Sequence, residues 1–169
     1  MFDTVTGLPV HVLVVHAIVV LGPLAGLTAI VYAVRPGWRV LLRWPLVVVS
    51  ALAAVTAFVA TQSGEALEHR LESLGVGDTV RAAIHEHSER GELARNIAFV
   101  VVVLAVAAAF WALVPGTEAP GGRPVALVAA ALLVVAGLAL VVATVLAGHS
   151  GSSAVWSEIG KVEVTDGPR

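Results

Sequence analysis

The sequence predicts an all-α integral membrane protein, a four-helix bundle that forms one domain over residues 1–169. Hydrophobic residues make up 58% of the chain and charged residues 13%, against about 45–50% and about 25% in soluble domains. Four stretches, 8–34, 44–62, 97–114 and 125–148, contain no Asp, Glu, Lys or Arg. Because roughly 20 apolar residues span the hydrocarbon of a bilayer, each stretch predicts a transmembrane helix.

The segment between the second and third spans predicts a hairpin stalk. Leucines recur there at helical spacing, at Leu67, Leu71 and Leu74, so helix 2 is expected to continue to about residue 74. Residues 75–77 predict a turn, and Asp78 or Thr79 can cap a third helix that continues into the third span. Helices 2 and 3 are therefore expected to extend beyond the bilayer.

All the histidines are expected on one face of the membrane. Four spans bring together the start of helix 1, the end of helix 2, the start of helix 3 and the end of helix 4. The histidines occur only at these places, as His11, His16, His69, His85, His87 and His149. The loop on the other face carries Arg35, Arg39 and Arg43 without an acidic residue. The positive-inside rule places that loop in the cytoplasm. This predicts a multi-pass protein of the cell membrane with an extracytoplasmic histidine face and termini.

Helical phase, at about 100° per residue, sorts the six histidines. His87 falls on a stripe of apolar and small residues and is expected to face the bundle. His85 and His69 align with charged residues and are expected to be solvated.

Three further histidines join His87 as candidate ligands. His16 lies about 10 Å into the first span, where an ionisable side chain is costly and marks a functional site. His149 lies among the small residues of 148–153, which leave room for a ligand. His11 shares its helix face with Gly22 and Gly26.

Two kinds of ligand suit these imidazoles. Haem b would take two of them as axial ligands, in an electron-transfer or redox-sensing protein with a redox partner. A copper, zinc or iron ion would need three or four donors, such as His16, His87, His149 and the inward-flanking Glu68. That site would belong to a metal sensor or transporter. A third interpretation is a scaffold subunit of a membrane complex or homo-oligomer, in which the histidines are structural.

Composition argues against other functions. A net charge of -2 disfavours nucleic acid as a partner, which requires a basic surface. The absence of cysteine excludes disulfides, thiolate ligands and cysteine-held iron–sulfur clusters. No serine, acid and histidine form a hydrolase constellation, so the sequence does not predict a stand-alone enzyme.

Short motifs resemble a family of bacterial membrane proteins, the domain-of-unknown-function family 2231. Residues 7–16 resemble its His-x(4)-His opening, His87 to Gly91 its His-x-x-x-Gly motif, and residues 148–156 its fourth-helix ending. The resemblance covers nearly the whole chain and implies a four-helix membrane bundle. The similarity of this family to four-helix redox membrane domains favours haem b over a bare ion.

Overall fold

The structure, a computed structural model, describes residues 4–5, 8–73, 75 and 77–159. A two-residue strand, β1 (Thr4–Val5), pairs antiparallel with β2 (Leu8–Pro9). Helix α1 (Val10–Val34) follows directly. A 3-10 turn (Pro36–Trp38) then leads into α2 (Arg39–Ser73). These two helices form the first antiparallel hairpin.

The second hairpin consists of α3 and α4. Helix α3 (Asp78–Ala107) continues through a π-helical turn (Ala108–Ala112), and α4 spans Gly122–Ile159. Each of the four helices is long and apolar enough to cross a membrane, with a mean hydropathy between 2.0 and 3.0. Both α1 and α3 pack against α2 and α4. The predicted four-helix membrane bundle is therefore confirmed, with α1 and α3 at opposite corners.

Small residues hold the helices together. A methyl group added to Gly26 of α1 would lie 2.5 Å from the carbonyl oxygen of Gly137 in α4, so this crossing requires glycine. Alanines fill most of the rest of the core, whereas branched side chains such as Val20, Val103 and Val135 are exposed. Close packing of small residues is the usual basis of helix association in lipid. An apolar side chain gains no hydrophobic free energy there when it moves from the lipid into a contact between helices.

The end of the bundle opposite the histidines is closed by side chains that satisfy helix-terminal carbonyls. Arg39 donates from Nε to the carbonyl of Tyr32 (3.1 Å) and from Nη2 to that of Ala33 (3.0 Å). The buried Tyr32 hydroxyl donates to the carbonyl of Leu113 (3.0 Å) after the π-helical turn. These bonds join α1, α2 and α3 at this end.

The turn between the hairpins matches its prediction. Helix α2 reaches Ser73, Gly75 adopts a φ of 73°, and α3 starts at Asp78 and runs without a break into the third span. At 1.5 Å per residue, α2 is about 52 Å long, well over the hydrocarbon thickness. The projection of this stalk from the bilayer stays a prediction.

The end of the fourth helix differs from its prediction. The fourth helix was predicted to end near residue 148, with His149 at its end, but α4 continues to Ile159. The serines of this segment bond within their own helix, since Ser150 donates to the carbonyl of Ala147 and Ser152 to that of His149. Packing of this segment, in which Gly151 lies against the His87 ring, overrides the weak helix preference of glycine and serine.

Candidate functional site

Two histidines from opposite corners of the bundle meet near one end. His11 is the second residue of α1, and His87 lies on α3. Their ring centroids are 6.0 Å apart and their planes make an angle of 79°. Both side chains are half-buried. Through this pair, α1 and α3 thus approach each other across the bundle.

The His11 ring rests on one face of α2. Its Nδ1 lies 2.9 Å from the carbonyl oxygen of Ala60 and 3.5 Å from the hydroxyl of Ser63. A methyl group added to Gly64 would lie 3.1 Å from Cε1 of His11. The imidazole therefore occupies the space that the missing side chain of Gly64 leaves free.

The His87 ring rests on α4 in the same way. Its Nδ1 lies 3.1 Å from the carbonyl oxygen of Ala147 and 3.3 Å from the hydroxyl of Ser150. A methyl group added to Gly151 would lie 2.8 Å from Cε1 of His87. Each histidine is therefore held by the second helix of its own hairpin.

The two contact surfaces share one sequence pattern, Ala-x-x-Ser-Gly, at residues 60–64 and 147–151. Residues three and four apart lie on one face of a helix, so the pattern presents a carbonyl, a hydroxyl and a glycine surface together. We call residues 60–64 the first cradle and residues 147–151 the second cradle. In each of the hairpins α1/α2 and α3/α4, the second helix thus presents this pattern to a histidine of the first helix.

The cradles determine which ring nitrogen is free. A carbonyl oxygen only accepts hydrogen bonds, so Nδ1 of each histidine carries the hydrogen and Nε2 of the neutral ring keeps its lone pair. Within the described part of the chain, the buried side-chain atoms without a hydrogen bond are Arg43 Nε and Ser50 Oγ. Neither histidine Nε2 is among them, so neither is a buried nitrogen without a hydrogen-bond partner.

The other predicted ligands lie elsewhere. His16 is exposed, and its Nδ1 bonds to the carbonyl of Val12 in its own helix (2.6 Å). His149 is also exposed, and Glu68 is half-buried. Among the residues that the structure describes, no three of His, Asp or Glu are placed to hold a metal ion. The structure therefore brings His11, rather than His16 or His149, to His87.

The helical geometry explains this selection. His16 follows His11 by five residues, a rotation of about 140° around α1, so the two cannot share a face. His87 faces the bundle as predicted, whereas His69 and His85 are exposed as predicted, with His85 Nε2 3.4 Å from Glu89.

Sequence reasoning missed the two cradles. The dipeptide Ser-Gly occurs in this chain only at 63–64 and 150–151. A search for a pattern shared by the ends of the second and fourth spans would have found both cradles.

The chain belongs to the family described as Predicted membrane protein (DUF2231), and the match covers residues 7–164. This confirms the resemblance inferred from the sequence motifs. Both histidines of the pair and both cradles lie inside the matched range. No curated protein and no solved structure matches the chain.

Proposed function

We propose that the protein holds haem b at one membrane face, with His11 and His87 as its two axial ligands, for electron transfer or redox sensing. The observation that carries this proposal is the 6.0 Å separation of two anchored imidazoles. A metal–imidazole bond is about 2.0 Å, and the ring centroid lies about 1 Å beyond the nitrogen. Two imidazoles on opposite sides of one ion therefore have centroids about 6 Å apart.

The number of donors favours haem over a bare ion. Haem iron receives four nitrogens from its porphyrin and needs only two axial ligands from the protein. Zinc sites use three or four protein donors, and no such group is found among the described residues. A pair of histidines is thus sufficient for haem but incomplete for a closed zinc, copper or iron site.

The cradles would tune the bound group through the histidines. Haem supplies a one-electron iron couple when bound. The carbonyls of Ala60 and Ala147 hold each imidazole in the tautomer whose Nε2 can bind a metal. Hydrogen bonds of this kind orient a ligating histidine and raise its basicity. Half-burial limits the access of water, which also affects the reduction potential.

A visible absorption spectrum tests this function. The full chain is expressed with a haem precursor, purified in detergent and compared with single-histidine variants. We expect a Soret band in the parent, its loss in His11→Ala and in His87→Ala, and its retention in His16→Ala and in His149→Ala. His85→Ala serves as a control, because that exposed side chain faces Glu89.

Other spectra would favour the other interpretations. A protein without a Soret band that contains near-stoichiometric copper, zinc or iron, lost in the same two variants, would identify a bare-ion site. A colourless and metal-free protein, after expression with precursor and metals supplied, would favour a scaffold subunit. A Soret band that survives His87→Ala would contradict the ligand pair.

We also propose that the protein is a multi-pass protein of the cell membrane whose histidine face lies outside the cytoplasm. The chain contains no cysteine, so single cysteines can report its topology. On intact cells, a membrane-impermeant maleimide should label Ser73→Cys and not Gly37→Cys, both of which are exposed positions. The reverse labelling would contradict this orientation.

A further inference from the structure

An apolar groove opens on the surface of the bundle at the arginine end. It lies between the end of α3, with its π-helical turn, and the start of α4, and its volume is about 330 Å³. Its walls include Leu104, Ala107 and Trp111 on one side and Pro124, Val128 and Leu132 on the other. Trp111 and Val128 are exposed, so the groove opens to the surroundings of the bundle.

The groove runs along the helix axes. Its wall on α3 extends from Leu104 to Ala112, a rise of about 12 Å. One leaflet of hydrocarbon is about 15 Å thick, so this length suits most of a single acyl chain. Tryptophans are typical of the membrane interface, and Trp111 marks the outer end of the groove. One wall contains the π-helical turn, a feature that is frequent at functional sites.

A cationic residue directly precedes the α4 wall of the groove in the chain. Arg123 directly precedes Pro124 of the wall, is exposed, and forms no ion pair with any residue in the described ranges. The loops and helix ends on this side of the bundle carry four arginines and a single acid, Glu118. Arginine at the headgroup level attracts anionic lipids.

We propose that this groove binds one acyl chain of an anionic phospholipid, whose phosphate is held at Arg123. The apolar walls provide affinity for the chain and do not distinguish one headgroup from another. The preference for an anionic headgroup comes from Arg123. This site is independent of the histidine pair, which lies at the other end of the bundle.

Quenching of Trp111 fluorescence tests the site directly. A protein in which Trp111 is the only tryptophan is made by Trp38→Phe, Trp44→Phe and Trp156→Phe. It is reconstituted in phosphatidylcholine vesicles that contain increasing fractions of a lipid with dibrominated acyl chains. That lipid is phosphatidylglycerol in one series and phosphatidylcholine in the other, and the quenching is compared between the two series. We expect an apparent preference for phosphatidylglycerol over phosphatidylcholine of about five-fold at Trp111. A protein with Trp38 alone, which does not line the groove, should show a weaker preference.

Matched variants separate headgroup from chain. Arg123→Gln should abolish the preference, whereas Arg35→Gln, at another exposed arginine of the same end, should retain it. Ala107→Phe should fill the groove and reduce quenching by both lipids, whereas Ala131→Phe, at an exposed alanine outside the groove, should not. Equal quenching by the two lipids in the parent, a preference that survives Arg123→Gln, or quenching unaffected by Ala107→Phe would overturn the proposal.

Discussion

The two cradles present the same groups to their histidines, but they hold them differently. His87 has its carbonyl and hydroxyl partners at 3.1 and 3.3 Å, whereas those of His11 are at 2.9 and 3.5 Å. Ser150 is only 5% exposed, while Ser63 is half-buried. The second cradle therefore holds its ring with a carbonyl and a buried hydroxyl, whereas the first depends mainly on one carbonyl.

The position of each histidine along its helix adds to this difference. His11 is the second residue of α1, close to a helix end, where helices fray. His87 is the tenth residue of α3, inside a continuous helix. The comparison indicates that the two histidines are held with unequal firmness. In the proposed haem site, His87 would be fixed before haem binds, and His11 would retain freedom to adjust to it.

The largest effect is expected from Gly151→Ala in the second cradle. The added methyl would lie 2.8 Å from Cε1 of His87, so the ring must move while Ser150 and Ala147 still hold it. We expect haem content, measured from the Soret band per protein, to fall at least about ten-fold, the range typical of lost supporting contacts. Gly148→Ala is the control in the same segment, at a position of the pattern that does not contact His87, because its methyl meets Val19 at an ordinary 3.6 Å. Full haem content in Gly151→Ala would contradict the role of the second cradle.

Gly64→Ala in the first cradle should have a smaller effect. Its methyl would lie 3.1 Å from the His11 ring, and a ring near the helix end can yield by a few tenths of an ångström. We expect a loss of haem content of about three-fold, below the range typical of lost supporting contacts. Gly91→Ala, whose nearest neighbour is Thr61 at 3.8 Å, should match the parent. Equal losses of haem content in Gly64→Ala and in Gly151→Ala would contradict the expected difference in rigidity between the two cradles.

The smallest effect is expected from the serines. Ser150→Ala removes a buried hydroxyl that bonds to Ala147 and contacts His87, which should cost about 1 kcal/mol of unfolding free energy. Ser63→Ala removes a half-buried hydroxyl with a longer contact to its histidine and should cost less. Thermal unfolding in detergent, followed by circular dichroism, compares the two variants. A larger loss in Ser63→Ala would reverse the proposed order of the cradles.

The spans could be predicted because hydropathy and length are local properties of the chain. The inward orientation of His87 was likewise correct, since helical phase depends only on neighbouring residues. Phase gives the face of a residue but not its partner, and His11 lies 76 positions before His87 in the chain. The predicted end of α4 was wrong because it depended on local helix preference alone. Gly151, a weak helix former alone, lies in the helix beneath the His87 ring.

Electron paramagnetic resonance of the ferric protein tests the pairing of His11 with His87 most directly. If His11 and His87 held the proposed haem, two imidazole ligands would make the ferric iron low-spin. Ring planes close to perpendicular, as the 79° angle indicates, would make its signal highly anisotropic. We therefore predict a low-spin signal of large anisotropy in the parent and in His16→Ala, converted to high-spin or lost in His11→Ala. A parent protein with a high-spin signal, or with no haem signal after expression with precursor, would contradict two-histidine ligation at this site.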